Sequence, residues 1–325
     1  MKSTEKQYIF KGNFADLCER FIRQKRALGY KYRTEPLIMV QFDRFSMGYG
    51  TRALTKKIVT DFISRKPGQS KKTCEIRISV IRQFGLFLLS QGYDAYLPPP
   101  KKYSLTKSFV PYIFTHEEIS KIFRVSDNIK KNTGSPYMHL VIPVLFRMLY
   151  GCGLRLSEAL NLRNKDVNLK EGILTIKNAK FDNDRLVPMS LSMLKICQRY
   201  ANIINSDKKS KNYFFPAPDK TRIDISTIYS RFREVLWKSG ISHGGRGKGP
   251  RLHDFRHTFA VRSLQKWVSK KIDIYNALPV LSTYLGHRSI AGTQRYLHLT
   301  AEVYPEIISA VEGISTMVFP EVKES

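Results

Sequence analysis

Residues 252–260 read Leu-His-Asp-Phe-Arg-His-Thr-Phe-Ala, and this short stretch carries two separate patterns. His253 and Arg256 stand three positions apart, one helical turn, so their side chains share a face. Phe255 and Phe259 fall on another side and would anchor the helix in an apolar core. Upstream, residues 151–158 read GCGLRLSE: a helix ends at a glycine pair, the next begins with Arg155, and Glu158 is one turn on, placed to brace it. Downstream, residues 284–287 read YLGH, with His287 just after a helix-ending glycine. Nine residues further, Tyr296 stands in the short polar segment TQRYLH.

Each piece alone has an ordinary explanation. An Arg and a Glu one turn apart usually make a surface ion pair, a His near an Arg is usually structural, and a Tyr is usually a packed aromatic. Together they answer one chemical need. Breaking a phosphodiester with a side-chain nucleophile takes a hydroxyl, cations for the charge growing on the non-bridging oxygens, and an acid for the leaving oxygen. Arginine suits the cation role because its planar fork grips two phosphate oxygens at once. Two Arg, two His and a Tyr form such a set without a metal or other cofactor.

Composition points to the same substrate. Among 325 residues, 55 Lys and Arg oppose 27 Asp and Glu, a net charge of +28. A surface this basic repels itself until a polyanion neutralises it, which makes nucleic acid the leading partner. The charge is spread: residues 1–110 hold 22 basic and 8 acidic residues, and residues 111–325 hold 33 and 19. Both parts therefore carry a surplus, as a clamp on a duplex requires. Cys18, Cys74, Cys152 and Cys197 sit in apolar helical patterns with no C-x-x-C pair, so buried free thiols are expected rather than a zinc site or disulfides. No run of 18 apolar residues and no signal-peptide core occurs, so an intracellular, cytoplasmic protein with no membrane partner is expected.

Periodicity divides the chain. Phe14, Leu17, Cys18, Phe21 and Ile22 follow helical spacing up to Gly29, and Leu37 to Phe45 gives a second helix after Pro36. Thr55 caps a third, with Ile58, Val59, Phe62 and Ile63 inward. A fourth runs from about Ser70 to Gly92 with Ile76, Val80, Ile81, Phe84, Phe87 and Leu88 inward. A helical domain over residues 1–96 is expected. Three prolines, Pro98 to Pro100, then stiffen the chain, and residues 97–111 read as a linker. Its Lys101, Lys102 and Lys107 either cross a phosphate backbone or are simply solvated. A second domain over 112–325 opens with the capping box Thr115-His116-Glu117-Glu118 and a helix from Ser135-Pro136 through Leu149. Residues 166–189 alternate in short runs, which predicts a small antiparallel sheet of about three strands. Helices resume near Ser190, Asp224, His253 and Ile274. The loop from Gly244 to Gly249 holds Arg246 and Lys248 and reads as a backbone-contacting or mobile cationic loop. The fold class is thus mainly α with one small antiparallel β-sheet.

The segments GLRLSEALNL (153–162), NAKFDNDRLVPM (178–189), LHDFRHTFA (252–260) and LGHRSIAGTQRYLH (285–298), in that order and spacing, resemble the tyrosine recombinases, the phage-integrase group. The resemblance covers the second domain. It implies an α+β tyrosine-recombinase catalytic domain, and the helical first domain suits the family's core-binding (SAM-like) domain on architecture alone. By the same resemblance Arg155 and Arg256 are the catalytic arginines, Glu158 supports the site, His253 belongs to the H-x-x-R pair and assists proton movement at the tyrosine, and His287 takes the family's His-or-Trp position. Tyr296 matches the nucleophile. Lys180 matches the lysine of a turn between two strands, although Ala179 and Phe181 replace the glycines that commonly flank it.

The implied reaction is site-specific cleavage and rejoining of double-stranded DNA through a 3′-phosphotyrosyl link, without ATP or metal. Four protomers would act on two duplexes through a Holliday junction, with accessory recombinase or directionality factors as further partners and a nucleoid-associated location. A helix expected over 302–311 either docks on a neighbouring subunit or packs on its own domain. Two rivals remain at this stage. One is a type IB topoisomerase, which uses a similar site. The other is a non-catalytic DNA-binding regulator, against which the intact residue set speaks.

Overall fold

The structure is a computed structural model. It describes residues 8–30, 32, 34–65, 67–100, 110–177, 184–204, 212–245, 249–287, 293 and 296. The chain divides into two units, Met1–Ser108 and Phe109–Ser325.

In the first unit the described helices are α1 (Ala15–Ala27), α2 (Glu35–Ser46), α3 (Lys56–Ile63) and α4 (Lys71–Ser90). Their starts follow local rules. Thr55 accepts a hydrogen bond from the Ile58 N–H at 3.3 Å and Ser70 accepts one from Thr73 at 3.1 Å, each satisfying an amide that the first helical turn leaves free. Pro36 fits in the first turn of α2, where its missing N–H costs nothing. The core is aromatic: Phe14, Phe21, Phe42, Phe62 and Phe84 are buried and meet mostly edge to face. One inward expectation fails on α4. Ile76 is 42% exposed, and Arg77 takes the inward face instead, its guanidinium over the Phe62 ring and donating to the Phe62 carbonyl at 3.1 Å. The long aliphatic stem of Arg77 lets it cover apolar surface while its head finds an acceptor.

The second unit has α5 (His116–Asp127), α6 (Met138–Gly151), α7 (Leu156–Asn161), β1 (Val167–Asn168), β2 (Ile173–Ile176), β3 (Arg185–Pro188), α8 (Leu191–Ile204), α9 (Ile225–Lys238), α10 (Asp254–Ser269) and α11 (Ile274–Leu285). The capping box at α5 is formed in both directions: Thr115 Oγ1 accepts from Glu118 N, and Glu118 Oε2 accepts from Thr115 N. Ser135-Pro136 does not begin α6 as expected. Those residues make a turn, closed by the Met138 N–H donating to the Ser135 carbonyl at 3.2 Å, and the helix starts at Met138. Helix α6 is apolar on nearly every side and packs against α5, α8 and α10, as an all-round apolar helix must.

The sheet has the predicted three strands in the order β1-β2-β3, both pairs antiparallel. Its register sets Ile176 opposite Arg185, so β3 begins with a guanidinium at the edge of the core. All four cysteines are buried and free. Among the described residues no helix is long and apolar enough to cross a membrane.

Candidate active site

Three helix ends meet in the second unit: the C-terminus of α6 with the turn into α7, the N-terminus of α10, and the C-terminus of α11. Helix C-termini present carbonyl oxygens without helical partners and the negative end of the macrodipole, so they attract cations. Arg256, on the first turn of α10, fills that role. It is 1% exposed and donates to the Gly153 carbonyl at 2.8 Å and the Leu285 carbonyl at 2.5 Å. Burying a guanidinium is costly unless it is hydrogen-bonded. Here the ends of two helices supply the acceptors. Phe255 beside it locks the helix, packing against Phe114, Phe146 and Phe232.

Both carbonyls depend on left-handed glycines or their neighbours. Gly153 has φ +59° and Gly286 φ +64°, a region L side chains rarely adopt. A Cβ on Gly286 would stand 2.7 Å from Arg185 Nη1, and one on Gly153 2.6 Å from the Phe259 ring. Backbone and side chains therefore approach so closely that only glycine fits.

Glu158 gathers two further guanidiniums. Arg155 donates to its Oε1 at 2.6 Å, and Arg185 donates to its Oε2 at 2.8 Å. Arg155 also reaches the Gly286 carbonyl at 3.1 Å, and Arg185 the Tyr284 carbonyl at 2.8 Å. The predicted brace is thus present, and Glu158 does more than brace Arg155: it ties α7 to β3. Burial pulls the Glu158 carboxyl upward, but Arg185 and then Arg155 outweigh it and hold it at about 2. Burial, and then the neighbouring positive charge of Arg155, lowers Arg256 to about 10. Three guanidiniums around the Glu158 carboxylate leave the set with an excess of positive charge, which favours a bound anion.

His253 sits at the N-cap of α10, exposed overall but with its ring against His257. Burial of that ring, then Arg256 and Arg155, bring it down to about 4. His287 is half-buried, just past the end of α11, and its Nδ1 meets Thr293 Oγ1 at 2.8 Å. Burial and the same two arginines bring it to about 4 as well. Tyr296 is 3% exposed, so the polar stretch around it does not present the ring to solvent. Its ring lies parallel to His287 with centroids 6.0 Å apart, and it feels the charge of Arg256.

The structure therefore brings Arg155, Glu158, His253, Arg256, His287 and Tyr296 into one place. Lys180 lies outside the described residues, as do Lys101, Lys102, Lys107, Arg246, Lys248 and residues 302–311. Lys177, the nearest described lysine in sequence, pairs with Asp166 at 3.3 Å.

Two members of the cluster were not singled out from sequence. Arg185 was visible only as a charge opening the apolar run RLVP. His257 is four residues after His253 and so shares its face; the rings meet at 4.6 Å. Its Nδ1 lies 3.0 Å from the Tyr296 hydroxyl.

This arrangement can hold an anion with two oxygens toward the guanidiniums and a phenol beside it. Comparison with known proteins identifies the family and the fold. The phage integrase family model matches residues 113–302. A Sinorhizobium fredii protein, y4rB, named for an integrase/recombinase, is 28% identical over 304 residues, covering 92% of this chain and 97% of that one. The tyrosine recombinase XerA of Pyrococcus horikoshii is 27% identical over 254 residues, 78% of each chain. Among solved structures, the XerH site-specific recombinase bound to a palindromic difH substrate shares the fold, with a TM-score of 0.64 at 20% identity, covering 91% of this chain and 84% of that one. So does the Tn1549 transposon integrase with circular intermediate DNA, with a TM-score of 0.63 at 17% identity, covering 86% and 94%.

Proposed function

The chain belongs to the phage integrase family, and on that footing we propose that it is a site-specific tyrosine recombinase whose nucleophile is Tyr296. The observation that supports the reading is the cluster in which Arg155, Arg256, His253 and His287 lie within electrostatic reach of one another, with the Tyr296 ring beside His287 and coupled to Arg256.

In this reading the scissile phosphate takes the anion position between Arg155 and Arg256. Both guanidiniums are already hydrogen-bonded to rigid carbonyls, so little reorganisation is needed as charge develops on the non-bridging oxygens. Tyr296 Oη attacks phosphorus, the bond to the 5′-oxygen breaks, and a 3′-phosphotyrosyl link forms. Lys180 gives the proton to the leaving 5′-oxygen. His287, uncharged at neutral pH, donates a hydrogen bond to a phosphate oxygen, and Thr293 holds its ring. The 5′-hydroxyl of another strand then reverses the step. The bond energy stays in the covalent link, so neither ATP nor a metal ion is called for.

The basic surplus at both ends of the sequence suits a duplex gripped from two sides, with Lys101, Lys102, Lys107, Arg246 and Lys248 as backbone contacts. Four protomers would join two duplexes through a Holliday junction, with the segment 302–311 docking between subunits and accessory directionality factors choosing the outcome. Such an enzyme works on intracellular DNA, at the nucleoid.

The test is a nicked suicide duplex drawn from the DNA flanking the gene. Wild type should leave a detergent-resistant protein–DNA adduct in EDTA. Tyr296→Phe should bind the same DNA and leave none. An adduct with Tyr296→Phe would sink the assignment.

A further inference from the structure

A phenol cannot attack phosphorus while it keeps its proton, and a Tyr296 hydroxyl in a side chain 3% exposed has little water to give it to. It belongs to a buried apolar cluster that also includes Ala260, Val261, Leu264 and Leu285. The proton acceptor therefore has to be a side chain. His253, to which the resemblance would give this role, stands one ring further back, against His257. His287 runs parallel to the phenol, 22° between planes, and its Nδ1 meets Thr293.

His257 is differently placed. Its Nδ1 is 3.0 Å from Tyr296 Oη, inside the range a general base needs. The rings are tilted by 55° with centroids 5.5 Å apart, and Nδ1 is the imidazole atom that meets the hydroxyl. His257 follows Arg256 directly, so one turn of α10 delivers a cation to the core of the site and an imidazole to the nucleophile.

We propose that His257 takes the Tyr296 proton as the phosphotyrosyl bond forms, an inference that rests on the recombinase reading above. With its own proton on Nε2, neutral His257 accepts at Nδ1. The Oη–P bond forms as the P–O5′ bond breaks; the phenolic proton moves to His257 Nδ1, and the leaving 5′-oxygen takes its proton from Lys180. On religation His257 returns its proton to the departing phenolate and the incoming 5′-hydroxyl gives one back to Lys180. His257 is thus a catalytic residue for the same reaction, on the nucleophile's side, and His253 supports its ring.

Three variants on the suicide substrate test this, with DNA binding by gel shift as the check on folding. His257→Ala should bind normally and form adduct about 10²-fold more slowly at pH 7. Its rate should rise with pH as the phenol ionises without help, and added imidazole should restore part of it. His257→Gln can hold the hydroxyl but cannot take its proton, so it should stay slow; it also serves if the Ala variant fails to fold. Both should be equally slow on a 5′-phosphorothiolate substrate, whose leaving group needs no acid, whereas Lys180→Ala should recover there. Adduct formation by His257→Gln at the wild-type rate would reduce His257 to a positioning residue. A His257→Ala defect that neither pH nor imidazole changes would likewise overturn the proposal. If wild type itself forms no adduct, the recombinase reading falls, and that outcome is distinct from either of these.

Discussion

Glu158 is the residue on which the site's electrostatics balance. Its folded value of about 2 lies below the ordinary 4.5, so its contribution to stability is fully present above pH 4.5 and is lost as pH falls through about 2. That difference corresponds to about 3 kcal/mol, within the range measured for removing one partner of a buried pair. Glu158→Gln should therefore lose about 3 kcal/mol of unfolding free energy at neutral pH, and the gap to wild type should shrink by pH 3. Denaturant titration at the two pH values measures it; an unchanged gap would mean that Arg155 and Arg185 do not depend on this carboxylate. His253 and His287 act with the same sign in a higher window: each lies below its ordinary 6.5, so the unfolded chain takes up their protons first and stability falls as pH drops from about 6.5 to about 4. Both lie near 4 in the free protein, so they stay uncharged as acid is added well past the usual imidazole midpoint. Titration followed by NMR should place both midpoints below 5. A bound phosphate adds negative charge and should raise them. Midpoints near 6.5 without DNA would contradict the crowding of guanidiniums described here.

At the level of elements, the site is made of helix ends, and its weak points are the glycines that turn them. Gly286→Ala forces a side chain into the left-handed region, a cost of about 1–2 kcal/mol, and pushes its Cβ toward Arg185. Arg185 would then leave the Tyr284 carbonyl and Glu158, so we expect both a lower melting temperature and slower cleavage. Wild-type values would show that the turn can relax. The same scale explains what could be read from sequence. Caps and periodicities have their causes within one turn of chain, so Thr55, Ser70, Thr115 and the three strands were legible. The inward face of α4 was not: Arg77, whose partner is 15 residues back at Phe62, takes the place Ile76 was expected to fill. Nor were the roles of Arg185 and His257, whose partners lie 27 and 39 residues away. The segments around Arg155, His253, Arg256 and His287 each have an ordinary local explanation, and only their order and spacing taken together made a candidate site legible.

For the whole molecule, charge sets the behaviour. With a surplus in both parts of the sequence, DNA binding should release many counterions. Affinity should fall by about 10³-fold or more between 50 and 200 mM salt, and a fluorescence-anisotropy titration across that range would show it. A nearly flat salt dependence would contradict a duplex gripped along its phosphates. The central claim concerns where the DNA ends up. Wild-type protein trapped on the suicide duplex in EDTA, digested with protease and read by mass spectrometry, should yield one peptide carrying a 3′-phosphonucleotide on Tyr296. A DNA adduct on any other residue, or cleavage that leaves no adduct at all, would contradict the account.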